Sequence, residues 1–519
     1  MVAQGAERED NRINLKDVTI YPAAIAEVPA KIVYYYAFMP IKTDGYLMTV
    51  AMATPPNIQK LDDISRILKK KIEVILVPEA DLTDALKKYY GVGADTIDKM
   101  VSERLKDEAP DIPPEEARGA AESADDASII KFINQIMLEA HKDRATDIHI
   151  EPYENELRIR YRIDGILHYT KVPSSIKNFQ SSIISRIKIM ANLDIAEHRV
   201  PQDGRINIKT GDNDVIDMRV STIPTPFGES IVIRLLSTNV NFKDFGLADL
   251  GLEKKDGEIF EALIRKPHGV IFLTGPTGSG KTTTLYTCLN MINDEEKKII
   301  TIEDPIEYQM GGITQIQVNP KTNLTFAEAL RSILRHDPDV IMVGEVRDFE
   351  TADIVIRTAL TGHLVFSTLH TNDAAGGITR LLDMGVEPFL VTSTVECFIA
   401  QRLVRVICPE CKHPVKIKQE VLREIGMTQA AMSNASAYEG KGCEACKNTG
   451  YRGRTAIYEM LVMHEPIREL VLRHASADEI RKKAVALGMK TLRQDGLRKV
   501  LEGITTLSEV MRVAESEES

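Results

Sequence analysis

The chain is poor in the features that mark most nucleic-acid-binding and membrane proteins. It has no tryptophan, aromatic residues make up 5% of its 519 residues, and its formal net charge is −11. Such a chain has no general basic footprint for nucleic-acid phosphates and little aromatic surface on which bases stack. No apolar run approaches the roughly 18 residues of a membrane span, and the start lacks a basic-then-apolar secretory pattern. We therefore expect a cytoplasmic protein that reaches a membrane only through a partner.

Cysteine is scarce as well, with six residues in the chain. Four of them form two CxxC pairs, which suits a metal site in a reducing compartment better than a disulfide framework. Four thiolates complete a closed tetrahedral site with no open position for water, so we expect structural zinc. Redox-active pairs or free thiols are the alternatives. The predicted ligands are Cys408, Cys411, Cys443 and Cys446.

The most specific motif is GPTGSGKT at residues 275–282. An apolar run precedes it and a stretch with helical spacing follows, which is the strand–loop–helix context of a phosphate-binding loop. In that context backbone N–H groups and the positive end of the helix converge on phosphate oxygens. A glycine-rich turn before an ordinary helix is the alternative, and the two flanks argue against it. The predicted ATP-binding residues are Gly275, Pro276, Thr277, Gly278, Ser279, Gly280, Lys281, Thr282 and Thr283. Among them, Lys281 is expected on the β- and γ-phosphates and the Thr282 hydroxyl on Mg²⁺.

Three more apolar strands end beside residues that carry chemistry. Glu345 follows one strand, where an acid usually contacts Mg²⁺ directly or through water. Because no second acid comes immediately after it, Glu303 or Asp304 is the candidate that orients the attacking water. His363 and His370 bracket another strand. A lone histidine is most often structural, but we expect this pair to contact the γ-phosphate.

A chain of this length needs roughly three to five domains. The predicted order is a small α/β N-terminal docking domain at 1–105, a flexible acidic linker at 106–126, an arginine-rich α+β domain at 127–240, a linker at 241–250, a P-loop ATPase domain at 251–400, a tetracysteine zinc subdomain at 401–455 and a helical C-terminal region at 456–519. Inside the first domain, residues 32–39 read as a strand.

The arginine-rich domain contains a predicted hairpin at 157–169, with Asp164-Gly165 as its turn. One face of this hairpin is apolar and the other carries three arginines. A solvated strand face is one interpretation. The other is that the domain supplies charge to a neighbouring γ-phosphate, since guanidinium groups match phosphate oxygens.

These motifs together resemble the ATPases of type II secretion and type IV pilus assembly, over about 125–519 and more weakly in the N-terminal domain. The segments that match are a Walker A motif at 275–282, an aspartate box at 301–305, a Walker B motif at 343–348, a histidine box at 361–370 and the tetracysteine segment with 450–454. The resemblance implies a RecA-like P-loop core preceded by a PAS-like arginine-rich domain. It also implies Glu303 as the general base, Glu345 as the magnesium-linked acid, and ATP contacts by Arg219, Arg234, Arg331 and Arg335.

The same resemblance implies a homo-hexamer on the cytoplasmic face of the inner membrane. In that family, ATP-driven motions act on an integral-membrane platform protein that adds pilin or pseudopilin subunits to a filament. We expect the N-terminal domain to dock a membrane-anchored partner, with acidic phospholipid as a further contact and no nucleic acid. Residues 380–390 and 400–405 look more like the secretion enzyme than the pilus-extension enzyme. The rival classes are a nucleic-acid translocase and a scaffold that binds ATP without useful hydrolysis.

Overall fold

The computed structural model describes residues 13–15, 18–94, 96–97, 114–209, 215–236, 245–416 and 437–514. The chain divides into two compact units, Met1–Thr238 and Asn239–Ser519. Among the helices in the described ranges, none is both long enough and apolar enough to cross a membrane.

The N-terminal part of the first unit is a small three-stranded sheet with helices around it. Its elements are α1 Pro22–Glu27, α2 Ala30–Tyr36, β1 Phe38–Asp44, β2 Leu47–Met52, α3 Ile58–Leu68, β3 Lys71–Leu76 and α4 Glu79–Tyr90. The middle strand, β2, pairs antiparallel with β1 and parallel with β3. The predicted strand at 32–39 is wrong for most of its length, because α2 occupies it up to Tyr36. Val33 on this helix is buried in the core, so tertiary packing overrides the strand preference of its β-branched and aromatic neighbours.

A long helix, α5 at Pro114–Lys142, follows. It starts inside the segment predicted as a flexible linker at 106–126, so that prediction is wrong from residue 114 onward. Proline is well tolerated at a first helical position, and the alanines and glutamates that follow are good helix formers. Residues 106–113 lie outside the described part of the chain.

The rest of the first unit is a six-stranded antiparallel sheet in the order β6-β5-β4-β9-β8-β7. Its elements are β4 Ala145–Pro152, β5 Leu157–Ile163, β6 Ile166–Tyr169, α6 Gln180–Met190, β7 Gln202–Lys209, β8 Val215–Thr225 and β9 Gly228–Leu236. The predicted hairpin is confirmed, since Asp164 and Gly165 turn between β5 and β6 with φ of 49° and 86°. Apolar residues of α5 and α6 share one core with the strands, which leaves the arginines on the opposite face of the sheet.

The second unit is built on a seven-stranded sheet in the order β12-β11-β13-β14-β10-β15-β18. The elements up to its last long strands are α7 Lys254–Ile264, β10 Gly269–Thr274, α8 Lys281–Ile292, β11 Ile299–Glu303, β12 Ile313–Gln317, α9 Phe326–Ile333, β13 Val340–Val343, α10 Phe349–Leu360, β14 Leu364–Leu369, α11 Ala374–Asp383 and α12 Pro388–Thr394. Neighbouring strands are parallel except for β18, which runs antiparallel to β15. Helices cover both faces, so this is the RecA-like α/β core that the sequence predicts.

The remaining elements are β15 Val395–Ile407, β16 Lys412–Val415, β17 Ala437–Gly440, β18 Tyr451–Val462, α13 Glu465–Leu472, α14 Ala477–Ala486, α15 Leu492–Leu501 and α16 Leu507–Ala514. The C-terminal region is therefore helical, as predicted. The predicted limits of the zinc subdomain fall inside β15 and β18, because the cysteine turns are inserted at the tip of strands that belong to the main sheet. The described end of the predicted linker at 241–250 also packs, with Leu247 and Leu250 buried in the core of this unit.

Candidate active site and metal centre

The phosphate loop lies at the carboxyl end of β10, between Thr274 and the first residue of α8, Lys281. Gly275, Gly278 and Gly280 have φ of 143°, 80° and 88°, which L side chains rarely adopt. A Cβ atom on Gly275 would lie 2.6 Å from the Gln401 carbonyl oxygen, whereas one on Gly278 would meet nothing within 4 Å. The loop is thus held tightly at its start and is open in its middle, where a phosphate would enter.

The Lys281 side chain is buried inside this loop. Its Nζ donates to the carbonyl oxygens of Gly275 at 2.6 Å and Pro276 at 3.0 Å. Burial and the nearby positive charge of Arg402 lower the pKa of this amine to about 8, while Glu345 acts in the opposite direction. Lys281 is therefore a cation in contact with the loop that would bind the anion.

Glu345 and His370 lie at the carboxyl ends of two neighbouring strands, β13 and β14. The His370 Nε2 atom is 3.1 Å from Glu345 Oε2, and the Arg347 guanidinium is 2.6 Å from Glu345 Oε1. The structure thus brings together Lys281, Glu345 and His370, as the sequence predicts for one phosphate site. Exposed Thr282, in the first turn of α8, and Glu345 supply the oxygen ligands that suit Mg²⁺.

Glu303, the predicted general base, is the last residue of β11 and is 3% exposed. Its carboxylate accepts hydrogen bonds from the Tyr286 hydroxyl, from Thr301 Oγ1 at 2.6 Å and from Gln315 Nε2 at 3.1 Å. Both oxygens therefore have protein donors. To orient a water molecule, one oxygen has to exchange a protein donor for that water. The neighbouring acid, Asp304, is exposed.

The prediction that His363 contacts the same γ-phosphate is wrong within one chain. His363 precedes β14 and His370 follows it, so a strand of six residues separates them. At about 3.3 Å per residue, that places the two histidines roughly 20 Å apart, at opposite ends of β14. The His363 Nδ1 atom lies 3.0 Å from the Thr358 carbonyl oxygen and 3.0 Å from Thr361 Oγ1, which is a structural role at the end of α10.

Arg331 and Arg335 lie at and just beyond the end of α9. Arg331 forms ion pairs with Glu328 at 2.8 Å and with Glu350. Arg335 donates to the Arg331 carbonyl oxygen at 2.9 Å. These contacts do not include the cluster around Lys281, so an ATP contact by either arginine stays a prediction from the resemblance.

In the first unit, a row of arginines crosses the polar face of the six-stranded sheet. Arg205 is paired in register with Arg219, Arg219 with Arg234, and Arg234 with Asp147. Arg234 Nε donates to Asp147 Oδ1 at 3.0 Å, and Arg162 Nε lies 3.8 Å from the other oxygen. Like charges placed directly opposite each other destabilise a sheet. Asp147 is the one carboxylate in this row of arginines, so the row carries excess positive charge. That Arg219 and Arg234 reach ATP stays a prediction.

The other two arginines of the hairpin support the interpretation of its polar face as a solvated strand surface. Arg158 pairs with Glu156, and Arg160 Nη2 lies 2.7 Å from Glu151 Oε1. This part of the face is neutralised by its own acids and is a solvated strand surface.

Three residues of the site, Gln401, Arg402 and Tyr286, were not predicted from the sequence. Gln401 Oε1 accepts from Thr284 Oγ1 at 2.8 Å, and a Cβ atom on Gly280 would lie 2.8 Å from Gln401 Nε2. Buried Arg402 follows it on β15, and Tyr286 on α8 holds Glu303. The contacts of Gln401 and Arg402 depend on β15 lying beside β10, and no local sequence motif predicts that pairing.

The four predicted cysteine ligands meet at the tip of the β15–β18 ribbon. Their sulfur atoms all lie within 4.8 Å of one another. The distances from Cys443 Sγ are 3.7 Å to Cys408 Sγ and 3.7 Å to Cys446 Sγ, and Cys411 and Cys446 are 3.9 Å apart. A tetrahedral zinc ion bonded to each sulfur at about 2.3 Å requires sulfurs about 3.8 Å apart. The four residues therefore fit a structural zinc ion.

A parallel α/β sheet with a phosphate loop at the end of a central strand, and with acids at the ends of the next strands, defines a P-loop nucleotide-binding domain. Comparison with known proteins assigns the chain to a family. Residues 122–512 match the family model "Type II/IV secretion system protein", and residues 10–96 match the MshEN domain. The chain belongs to this secretion ATPase family.

Relatives from both branches match over most of the chain. The type IV pilus assembly ATPase PilB of Myxococcus xanthus is 44% identical over 502 residues, covering 96% of this chain and 88% of its own. The type II secretion system ATPase E of Vibrio cholerae is 44% identical over 472 residues, covering 88% and 90%. A crystal structure of the pilus retraction motor PilT with bound ADP has a TM-score of 0.50 at 27% identity, covering 73% of this chain and 95% of its own. The family and the ATPase class are thereby established.

Proposed function

We propose that this protein is a Mg²⁺-dependent motor ATPase that drives the assembly of a pilin-like filament, and that the filament belongs to a type II secretion system. The cluster of Lys281, Glu345 and His370 against the phosphate loop carries the catalytic part of this proposal. The likeness at 380–390 and 400–405 supports the secretion branch. Extension of a type IV pilus is the second candidate, because relatives named for that role match equally well.

In this proposal Lys281 binds the β- and γ-phosphates, and Mg²⁺ is held through Thr282 and Glu345. Glu303 orients the water that attacks the γ-phosphate, with its position fixed by Tyr286. His370 holds Glu345 and lies where charge develops on the transferred phosphoryl group. Six copies form a ring at the cytoplasmic face of the inner membrane, where the N-terminal domain docks a membrane-anchored partner and the ring acts on an integral-membrane platform protein. Arg219 and Arg234 supply further positive charge to ATP, and acidic phospholipid supports the assembly.

The test of the site is phosphate release by the purified full-length chain, with Mg²⁺ and with excess EDTA. Glu303→Gln is expected to lower turnover by about 10²–10⁴-fold while ATP still binds, because glutamine keeps the shape but is not a base. Asp304→Asn is the matched control, since it removes the exposed neighbouring acid and should leave turnover close to that of the unmodified chain. If Asp304→Asn rather than Glu303→Gln abolishes turnover, the assignment of the base is wrong.

The test of the filament-motor role measures phosphate release by the purified chain under three conditions: the chain by itself, with single-stranded DNA, and with the platform protein in acidic phospholipid. Stimulation by platform and lipid supports the filament motor. Stimulation by DNA that disappears at high salt would replace it with a nucleic-acid translocase. The branch is decided in cells that carry both systems, by whether deletion of this chain stops protein export or stops pilus extension.

A further inference from the structure

A second buried cation lies beside the phosphate loop. Arg402 is 6% exposed and belongs to β15, the strand that pairs with β10 up to the Thr274–Ala400 pair. Since β10 ends there and the chain turns into the phosphate loop, the next residues of β15 run alongside that loop. The Arg402 Nη1 atom would lie 3.0 Å from a Cβ atom on Gly275. An arginine is thus built into the wall of the loop.

The guanidinium group of Arg402 also reaches a second segment of the site. Its Nη2 atom donates to the Asn372 carbonyl oxygen at 2.7 Å and lies 3.3 Å from Asn372 Oδ1, while Nη1 donates to the Gln401 carbonyl oxygen at 3.1 Å. Asn372 belongs to the short loop that joins His370 to α11. A single planar side chain therefore ties the wall of the phosphate loop to the segment that carries His370.

The same loop is held from the next strand. Glu459, a buried residue of β18, accepts a hydrogen bond from the Ala374 backbone N–H at 2.9 Å, and Thr274 Oγ1 donates to the Asp373 carbonyl oxygen at 3.3 Å. Consecutive residues after His370 are thus fixed by three different strands. Arg402 is therefore one of three supports of the loop that follows His370, and it is the one that also contacts the wall of the phosphate loop.

We propose that Arg402 is a positioning residue of the ATPase reaction, which fixes the loop after β14 against the phosphate loop and adds a permanent positive charge beside Lys281. This inference rests on the proposed function and names a residue that takes part in it. Arginine suits the role because it stays charged at every accessible pH and its fork donates in two directions. It acts through the segments that it contacts, the wall of the phosphate loop beside Lys281 and the loop at Asn372.

The two-directional fork gives this role a measurable signature. Arg402 donates both to the Gln401 carbonyl oxygen beside the phosphate loop and to the Asn372 carbonyl oxygen in the loop that follows His370. A lysine carries its donors on one nitrogen atom and does not reproduce both contacts. If Arg402 positions the loop that carries His370, its loss lowers kcat more than it changes KM, because the phosphate loop still binds ATP.

The experiment measures kcat and KM for ATP separately in Arg402→Gln, Arg402→Lys and the unmodified full-length chain at one pH. Arg402→Gln should lower kcat by about tenfold or more with a smaller change in KM. Arg402→Lys keeps the charge but loses the fork, so kcat should recover only in part. An unchanged kcat in Arg402→Gln, or full recovery of kcat in Arg402→Lys, would overturn the inference.

Two controls separate this result from a loss of folding and from a failure of the proposed function. Arg405→Gln removes another partly buried arginine three residues further along the same strand, where it contacts Glu509 rather than the phosphate loop, and should leave kcat and KM unchanged at 25 °C. Arg402→Met replaces Arg402→Gln if circular dichroism or zinc content shows that the latter is unfolded. If the unmodified chain hydrolyses no ATP, the proposed function fails, and the contacts of Arg402 are then tested by hydrogen exchange of the amides at 371–374, which should accelerate in Arg402→Gln and stay unchanged in Arg405→Gln.

Discussion

Alanine at Gly275 and alanine at Gly278 should have different effects on nucleotide binding, although both glycines have positive φ. At Gly275 the new Cβ atom would lie 2.6 Å from the Gln401 carbonyl oxygen and 2.7 Å from Ser279 Oγ. That carbonyl belongs to Gln401 on β15, which pairs with Tyr458 of β18, and it also accepts a hydrogen bond from Arg402. The phosphate loop would have to leave its position, so we expect binding of ATP to be abolished.

At Gly278 nothing lies within 4 Å of the added atom, and the cost is that of holding alanine at a φ of 80°. A left-handed L residue costs roughly 1–2 kcal/mol, which corresponds to about 5- to 30-fold in affinity. We therefore expect Gly278→Ala to bind ATP weakly but measurably.

The assay is calorimetric titration of each purified variant with ATP and Mg²⁺, with zinc content and circular dichroism to show that the fold is intact. The two variants serve as controls for each other, since both change a glycine to alanine in the same loop. Equal losses would mean that backbone conformation alone decides the outcome. Normal binding by Gly275→Ala would refute the placement of β15 against the loop.

Three further predictions concern the supports of the site. Tyr286→Phe removes the hydroxyl that donates to Glu303 Oε2, so thermal denaturation should show a loss of about 1–3 kcal/mol, and turnover should fall while ATP affinity is retained. Burial raises the pKa of Glu509, but hydrogen bonds from Arg512 and Arg405 outweigh it and bring the value from about 4.5 down to about 2. A lowered carboxyl pKa stabilises the fold above the unfolded pKa, so the protection factors of the α16 amides, taken relative to the intrinsic exchange rate at each pH, should fall as the pH falls from about 4.5 towards 2, and this dependence should be lost in Glu509→Gln. Removal of zinc with a strong chelator should accelerate exchange in the outer halves of β15 and β18 while leaving β10 protected, and equal acceleration in β10 would contradict the local role given to the metal.

The parts of the site that could be predicted from the sequence are those encoded by neighbouring residues. A phosphate loop needs its glycines, lysine and threonine in one short segment, and each CxxC turn supplies two ligands by itself. For the same reason the acids at the ends of β11 and β13 could be found, because each follows its own apolar strand.

The parts that could not be predicted depend on which strands lie side by side. Gln401 and Arg402 reach the phosphate loop only because β15 pairs with β10, more than a hundred residues earlier in the chain. The prediction for His363 failed for a related reason. Parallel strands place ligands at their carboxyl ends, and His363 lies at the amino end of β14. In the N-terminal domain, the run at 32–36 has the composition of a strand but packs as α2, and no local pattern distinguishes the two.

The β15–β18 pair has a mechanical consequence. From Gln401 onward β15 pairs only with β18, so the two strands continue beyond the parallel sheet as a ribbon that ends at the cysteine cluster. Cys408 lies seven positions after Gln401, which is roughly 23 Å along an extended strand. The ribbon is supported along this length by the C-terminal segment, since Ile407 N donates to the Ile504 carbonyl oxygen at 2.9 Å and Arg405 contacts Glu509 at 2.7 Å. A ribbon supported in this way and starting beside the phosphate loop acts as a lever, so a rotation of a few degrees at the loop is a displacement of more than an ångström at the cysteine cluster.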